Sequence, residues 1–145
     1  MFQENLKVTG AVAIRVFDKT GALKQEQTIE NLVVTTGKEY IASRMTGTPT
    51  AMSHMAVGAG TTAAAAGDTG LGSELGRVTF ESNNVSNAVV SYIAAFPAGT
   101  GTGAISEAGV FNASSGGTML CRTVFAVVNK GADDAMSITW QITVS

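Results

Sequence analysis

From Met136 to Ser145 the chain alternates without a break, with Met136, Ile138, Trp140, Ile142 and Val144 set against Ser137, Thr139, Gln141, Thr143 and Ser145. A period of two is the period of a β-strand with one buried face, since successive side chains point to opposite sides of the pleat. A strand of that kind needs neighbours and an apolar layer beneath it. The same alternation places Val8, Val12, Ile14 and Val16 on one face near the N-terminus, with Thr9, Ala13 and Arg15 on the other. Asp18-Lys19-Thr20-Gly21 then reads as a turn. The run Ala22 to Ile29, polar at alternate positions, pairs with the first strand as a hairpin and is expected at an edge or facing solvent.

One stretch fits a helix. Lys38 to Met45 follows Thr35-Thr36-Gly37, either threonine can cap it, and Tyr40, Ile41 and Met45 would share its buried side. His54 to Gly58 predicts a short buried strand that opens into a long loop from Ala59 to Gly70, because four alanines between glycines are too few to nucleate a helix. Arg77 to Glu81 and Ala88 to Phe96 predict two strands joined by a turn at Asn83-Asn84. The second, apolar on both alternating faces, is expected to be buried on both. Ile105 to Phe111 and Thr118 to Val128 make a further hairpin around Ser114-Ser115-Gly116-Gly117, and Lys130 to Asp134 turns the chain into its last strand. Eight or nine strands and one short helix predict an all-β fold, a two-sheet β-sandwich of jelly-roll-like form. A chain of 145 residues is expected to form one domain, residues 1–145, with a short N-terminal arm over about residues 1–7.

Composition narrows the function. Charged residues make up 14% of the chain, below the roughly 25% of an average soluble protein, so the surface is poor in charge. The basic residues are scattered singly and the net charge is −2, which offers no footprint for nucleic acid. The longest apolar stretch, Ala88 to Pro97, is about half of the roughly 20 residues a membrane helix needs. Met1 to Asn5 lacks the pattern of a secretory leader, so the product is expected to be made and used in the cytoplasm.

Reactive constellations are hard to assemble from these residues. His54 is the single histidine and has no nucleophile-elbow glycine pattern beside it, so a hydrogen-bonded histidine at a strand start is expected. Cys121 stands alone between Leu120 and Arg122 and reads as an ordinary strand residue. One histidine and one cysteine do not make a zinc ligand set, and Asp133-Asp134 or Glu74 with Asp68 lack the dense oxygen spacing of a calcium loop. Gly58 to Gly60 and Gly99 to Gly103 lack the lysine of a phosphate-binding loop and read as turns. Glu107 falls inside a strand between Ser106 and Ala108. It is expected to be exposed or, if buried, to take Arg122 or Arg77 as a structural partner. No catalytic, cofactor-binding or metal residue is assigned, and the chain is expected not to be an enzyme.

The segments Asn31 to Gly37, Met55 to Thr62, Gly67-Asp68-Thr69, Leu71 to Glu74 with Arg77, and Ile105 to Phe111 are informative in their order. Their succession resembles a group of small virion proteins of tailed bacteriophages, including tail-fibre-like and tail-collar-like domains. The likeness covers about residues 8 to 145. It implies a structural virion part. A chain with a short polar arm and no shaft repeat looks more like a capsid decoration, or cement, protein than a whole fibre. That implies the major capsid protein as partner, self-association as a dimer or trimer, and a place on the capsid surface after assembly in the host cytoplasm. No nucleic acid, membrane or cofactor is implied. The competing expectation is a tail collar or adaptor, or a fibre-type receptor-binding module that takes carbohydrate. The contact surfaces expected on the first reading are Met1 to Lys7, Thr46 to Ser53 and Thr61 to Ser73.

Overall fold

The computed structural model describes residues 5–145, and over these the chain is almost wholly strand. Nine strands run in the order β1 (Val8–Phe17), β2 (Leu23–Val33), β3 (His54–Gly58), β4 (Glu74–Thr79), β5 (Ser82–Ser86), β6 (Val89–Phe96), β7 (Gly103–Phe111), β8 (Met119–Lys130) and β9 (Ala135–Val144), with one helix, α1 (Thr35–Ser43), after β2. They form one antiparallel sheet in the spatial order β4-β3-β7-β8-β2-β1-β9-β6-β5. The alternation at the C-terminus places Met136, Ile138, Trp140 and Ile142 of β9 in the core.

The sheet curls at β2. From Leu23 to Asn31 this strand pairs with β1, and only its last two residues pair with β8, Leu32 with Arg122 and Val33 with Cys121. Before that point the two halves diverge. Side chains bridge the gap, with Gln25 Nε2 donating to Val127 O at 3.2 Å and Gln27 Nε2 donating to Ala126 O at 3.0 Å. Over Leu23 to Ile29, within the run expected at an edge or facing solvent, β2 pairs with β1 alone, and the pairing with β8 begins beyond that run. At the changeover the carboxamide of Asn31 lies over Gly10, its partner in the ladder, and a Cβ on Gly10 would come within 2.6 Å of Asn31 Cγ. The curl encloses one apolar cluster, to which β1, β6 and β9 contribute Val12, Ile14, Phe96 and Trp140, and β3, β7 and β8 contribute Met55, Val110 and Phe125.

Four local expectations are corrected. Asn83-Asn84 lies inside β5, and the turn falls at Asn87, whose φ of 54° puts it in the left-handed region that asparagine tolerates. The strand buried on both faces is β7, where Ile105 to Phe111 are all buried, while Val89 to Ile93 of β6 are only partly buried. Periodicity cannot make that distinction, because the outer face of β7 is covered by the loop 59–73 and not by another sheet. The helix starts three residues early, so both threonines lie within it. Val34 is its N-cap with no side-chain cap, and Thr36 Oγ1 instead donates to Met119 O at 2.9 Å. Its start is fixed by the sheet, since Val34 is fully buried and donates its N–H to Leu120 O. Tyr40 and Ile41 pack against the core as expected, but Met45 falls beyond the helix and is exposed.

Trp140 fills the centre of the curl and is wholly buried, whereas Arg15, on the opposite face, makes only an exposed pair with Glu26 at 3.4 Å. Trp140→Ala is expected to lower unfolding free energy by about 3–5 kcal/mol, and Arg15→Ala by no more than about 1 kcal/mol. Urea denaturation of both variants checks the contrast, and equal losses would place the core elsewhere.

Candidate functional site

Glu107 is fully buried in the middle of β7, and its carboxylate faces the outer side of the sheet beneath the loop 59–73. Isolated, a buried carboxylate is costly enough to neutralise itself. Here it accepts hydrogen bonds from three backbone amides and one guanidinium. Oε2 takes the N–H of Gly60 at 2.7 Å and of Ser73 at 2.8 Å; Oε1 takes the N–H of Gly72 at 2.8 Å and the Arg122 guanidinium at 2.9 Å through Nη2. Ser106, its neighbour on β7, donates Oγ to Gly60 O at 2.8 Å. Burial pushes the Glu107 pKa up, but the N–H groups of Gly72 and Ser73, the Arg122 guanidinium and the N–H of Gly60 more than offset it. The carboxyl is held below its ordinary range.

The glycines are what allow this approach. A Cβ on Gly58 would come within 2.6 Å of Glu107 Oε2, and one on Gly60 within 2.6 Å of Glu107 Cδ. Gly58 to Gly60, expected to be a turn, is thus the end of β3 running into a cradle for an anion. The anion is a side chain of the chain itself. Gly99 to Gly103 is a turn, with positive φ at Gly99, Gly101 and Gly103.

The same cluster fixes the rest of the loop. Arg122 Nη1 donates to Asp68 Oδ2 at 2.9 Å, and Asp68 also accepts from the N–H of Ala65. Thr35 N donates to Ala66 O at 2.8 Å, which ties the loop to the start of α1. Leu71 packs against Val34, Ala56, Phe111 and Met119, a second apolar cluster on the outside of the sheet. Gly109 leaves room for it, since a Cβ there would meet Leu71 Cδ2 at 3.1 Å. Arg77 stacks over the Phe111 ring at 3.8 Å, pairs with Glu74 at 2.7 Å and donates to the carbonyls of Ala113 and Gly116. Of the two arginines named from sequence, Arg122 partners Glu107 and Arg77 braces the neighbouring hairpin. The segments 31–37, 55–62, 67–69, 71–74 with Arg77, and 105–111 all converge here.

The other candidates lie apart from this cluster. His54 opens β3, with Ser53 Oγ 2.7 Å from Nδ1 and Thr79 Oγ1 3.3 Å from Nε2, two hydroxyls and no carboxylate. Cys121 is buried in β8, and burial pushes its thiol well above the ordinary range, so it stays protonated. Asp134 accepts from Lys24 Nζ at 2.6 Å and from the N–H of Gly131, which makes it a turn brace. Among the described residues no group of three or more His, Cys, Asp or Glu side chains is placed to hold a metal ion. No helix among them is long and apolar enough to cross a membrane. No family model, curated protein or solved structure matches the chain.

Glu107 is buried and not exposed, so the first expectation is corrected; of the two arginines named for the buried case Arg122 is the partner, and the three backbone donors were not anticipated. The signal was present as Gly58, Gly60 and Gly72, small residues with no turn to make at β3, although spacing alone did not tie them to Glu107. Glu107→Gln leaves the buried Arg122 with only the more exposed Asp68 as counter-charge and sets an amide group against three backbone N–H donors, an expected loss of about 3–5 kcal/mol in chemical denaturation. Because the folded-state pKa lies below the unfolded one, the wild-type contribution is present above the ordinary glutamate value of about 4.3 and is lost as pH falls through the lower folded value. The stability difference between wild type and Glu107→Gln should therefore shrink as pH is lowered below about 4. A difference that stays constant to pH 2 would contradict it.

Proposed function

We propose that the protein is a structural part of a tailed-phage virion, a capsid decoration protein that docks on the major capsid protein at the outside of the assembled head and stabilises it. On this reading the two halves of the curled sheet act as the layers of a jelly-roll-like sandwich, and the chain self-associates as a dimer or trimer. The supporting observation is the convergence of the phage-like segments on a buried carboxylate that holds the outer loop 59–73 in one shape. The loop itself is rich in threonine, alanine and glycine, with Asp68 as its one charged side chain, and that residue is engaged by Arg122. A pre-ordered, nearly uncharged loop loses little conformational freedom on docking, which favours adhesion.

A ligand that binds the assembled lattice and not its dispersed subunits stabilises the lattice by mass action, and the effect multiplies over many copies. The tail-collar and receptor-binding alternative would use fewer copies, and a carbohydrate site would favour exposed aromatics. Trp140 is buried and Tyr92 is stacked on Phe80 at 4.6 Å between ring centroids. Quantitative mass spectrometry of purified particles is expected to give a copy number that scales with the capsid subunits, and particles lacking the protein should lose their DNA at lower temperature. A copy number matching a single tail ring would refute the capsid assignment.

A further inference from the structure

The three most exposed large apolar side chains among the described residues, Met45 at 84%, Leu6 at 75% and Val85 at 68%, lie at one end of the fold. They line two cavities that share Ile41. The first, of about 550 Å³, lies between the start of β1 and α1, where Leu6, Val8, Ile41, Ala42 and Met45 form its apolar wall. The second, of about 370 Å³, opens between α1 and the inner face of β5 and β6, over Tyr40, Met52, Val85, Val90 and Tyr92. Both fall within the range of roughly 300–1,000 Å³ that accommodates bound groups.

Among the residues that line the two cavities the charge is one-sided, although Glu39 also stands on α1 between Lys38 and Arg44. Lys7 and Lys38 line the first cavity and Arg44 the second, and no Asp or Glu side chain lines either. None of the three cations has a carboxylate within 4 Å among the described residues, on a chain whose net charge is −2. Beside the second cavity lies β5, the last strand of the sheet, with β6 as its one neighbour. Its five residues, Ser82 to Ser86, are all exposed and uncharged. It carries none of the lysines or prolines that natural edges use to repel an added strand.

We propose that this end is a docking cleft for an extended segment of a partner protein in which large apolar side chains are flanked by carboxylates. The segment's backbone pairs with the free edge of β5, an apolar side chain enters beside Val85 and Tyr92, and its acids meet Arg44, Lys38 and Lys7. A second copy presenting the same cleft would bring like charges together, which disfavours self-pairing here. The cleft gathers two of the three contact segments expected from sequence, the end of the arm at Leu6-Lys7 and the loop at Ala51-Met52, and leaves 61–73 on another surface. It rests on the adhesion reading of the protein but does not require that the partner be the capsid.

Fluorescence anisotropy of the full chain with a labelled twelve-residue peptide, carrying Leu and Phe flanked by Asp and Glu, tests the cleft against a matched peptide with Lys in place of the acids. The acidic peptide is expected to bind about tenfold or more tightly, with affinity falling as salt rises. Val85→Asp, at an exposed position, should abolish binding without altering the thermal midpoint. The double variant Lys38→Glu with Arg44→Glu should reverse the preference. Equal binding of the two peptides, no binding of either, or binding indifferent to these substitutions overturns the proposal. So does binding that appears only after residues 2–4 are removed, which would make the chain's own segment the occupant, or a concentration-dependent dimer that Val85→Asp dissolves. Acidic-peptide binding by a protein that ignores phage heads keeps the cleft and removes the capsid reading. Head binding that persists when no peptide binds does the reverse.

Discussion

A carboxylate buried in the middle of a strand must be met by hydrogen-bond donors, and the outer half of this protein is arranged to supply them to Glu107. Three amides and a guanidinium converge from positions 60, 72, 73 and 122, which lie far apart in the chain. Satisfying one side chain therefore closes the loop 59–73 at both ends and joins β3, β7 and β8 through it. The gain is geometric as much as energetic. Burying an ion pair is weak evidence of stability by itself, because desolvation consumes much of the attraction. What the arrangement fixes is the path of a surface loop, together with the Asp68–Arg122 pair, the Thr35–Ala66 hydrogen bond and the packing of Leu71.

The inner and outer parts of the fold solve different problems. Inside, the curl around β2 lets a single hydrogen-bonded sheet enclose its own core, with Gly10 and Asn31 at the changeover and glutamine side chains spanning the gap where backbone pairing stops. Outside, β7 keeps Gly109 and Phe111 on a face that would be solvent-exposed in an ordinary antiparallel sheet, and Leu71 covers them. The loop is thus the lid of a small second core. Its shape follows from Glu107, Arg122, Asp68 and the glycines at 58, 60 and 72.

Much of the fold was legible because strands with one buried face advertise themselves by period. The C-terminal strand, the first hairpin and the hairpin ending at Val128 follow directly from alternation and turn residues. The assignment failed where burial came from a loop. Ile105 to Phe111 and Ala88 to Phe96 both have apolar residues on two faces, and only the tertiary path of residues 59–73 decides which is covered twice. Asn83-Asn84 misled for a related reason. Asparagine is common in turns, but this pair sits on an exposed edge strand where nothing selects for apolar residues, and the left-handed residue is Asn87. For the site, the link from Glu107 to Arg122 was within reach of charge reasoning, since a buried acid demands a base. The backbone donors were not, because every residue carries an amide and sequence does not say which ones converge.

Amide hydrogen exchange on the native protein, read residue by residue by NMR, tests the central claim most directly. If Glu107 holds the loop closed, the amides of Gly60, Gly72 and Ser73 exchange as slowly as those of the core strands β7 and β8, while Ala63 and Ala64 at the loop surface exchange fast. Exchange of Gly60, Gly72 and Ser73 at the rate of an open, solvent-exposed loop would contradict the account.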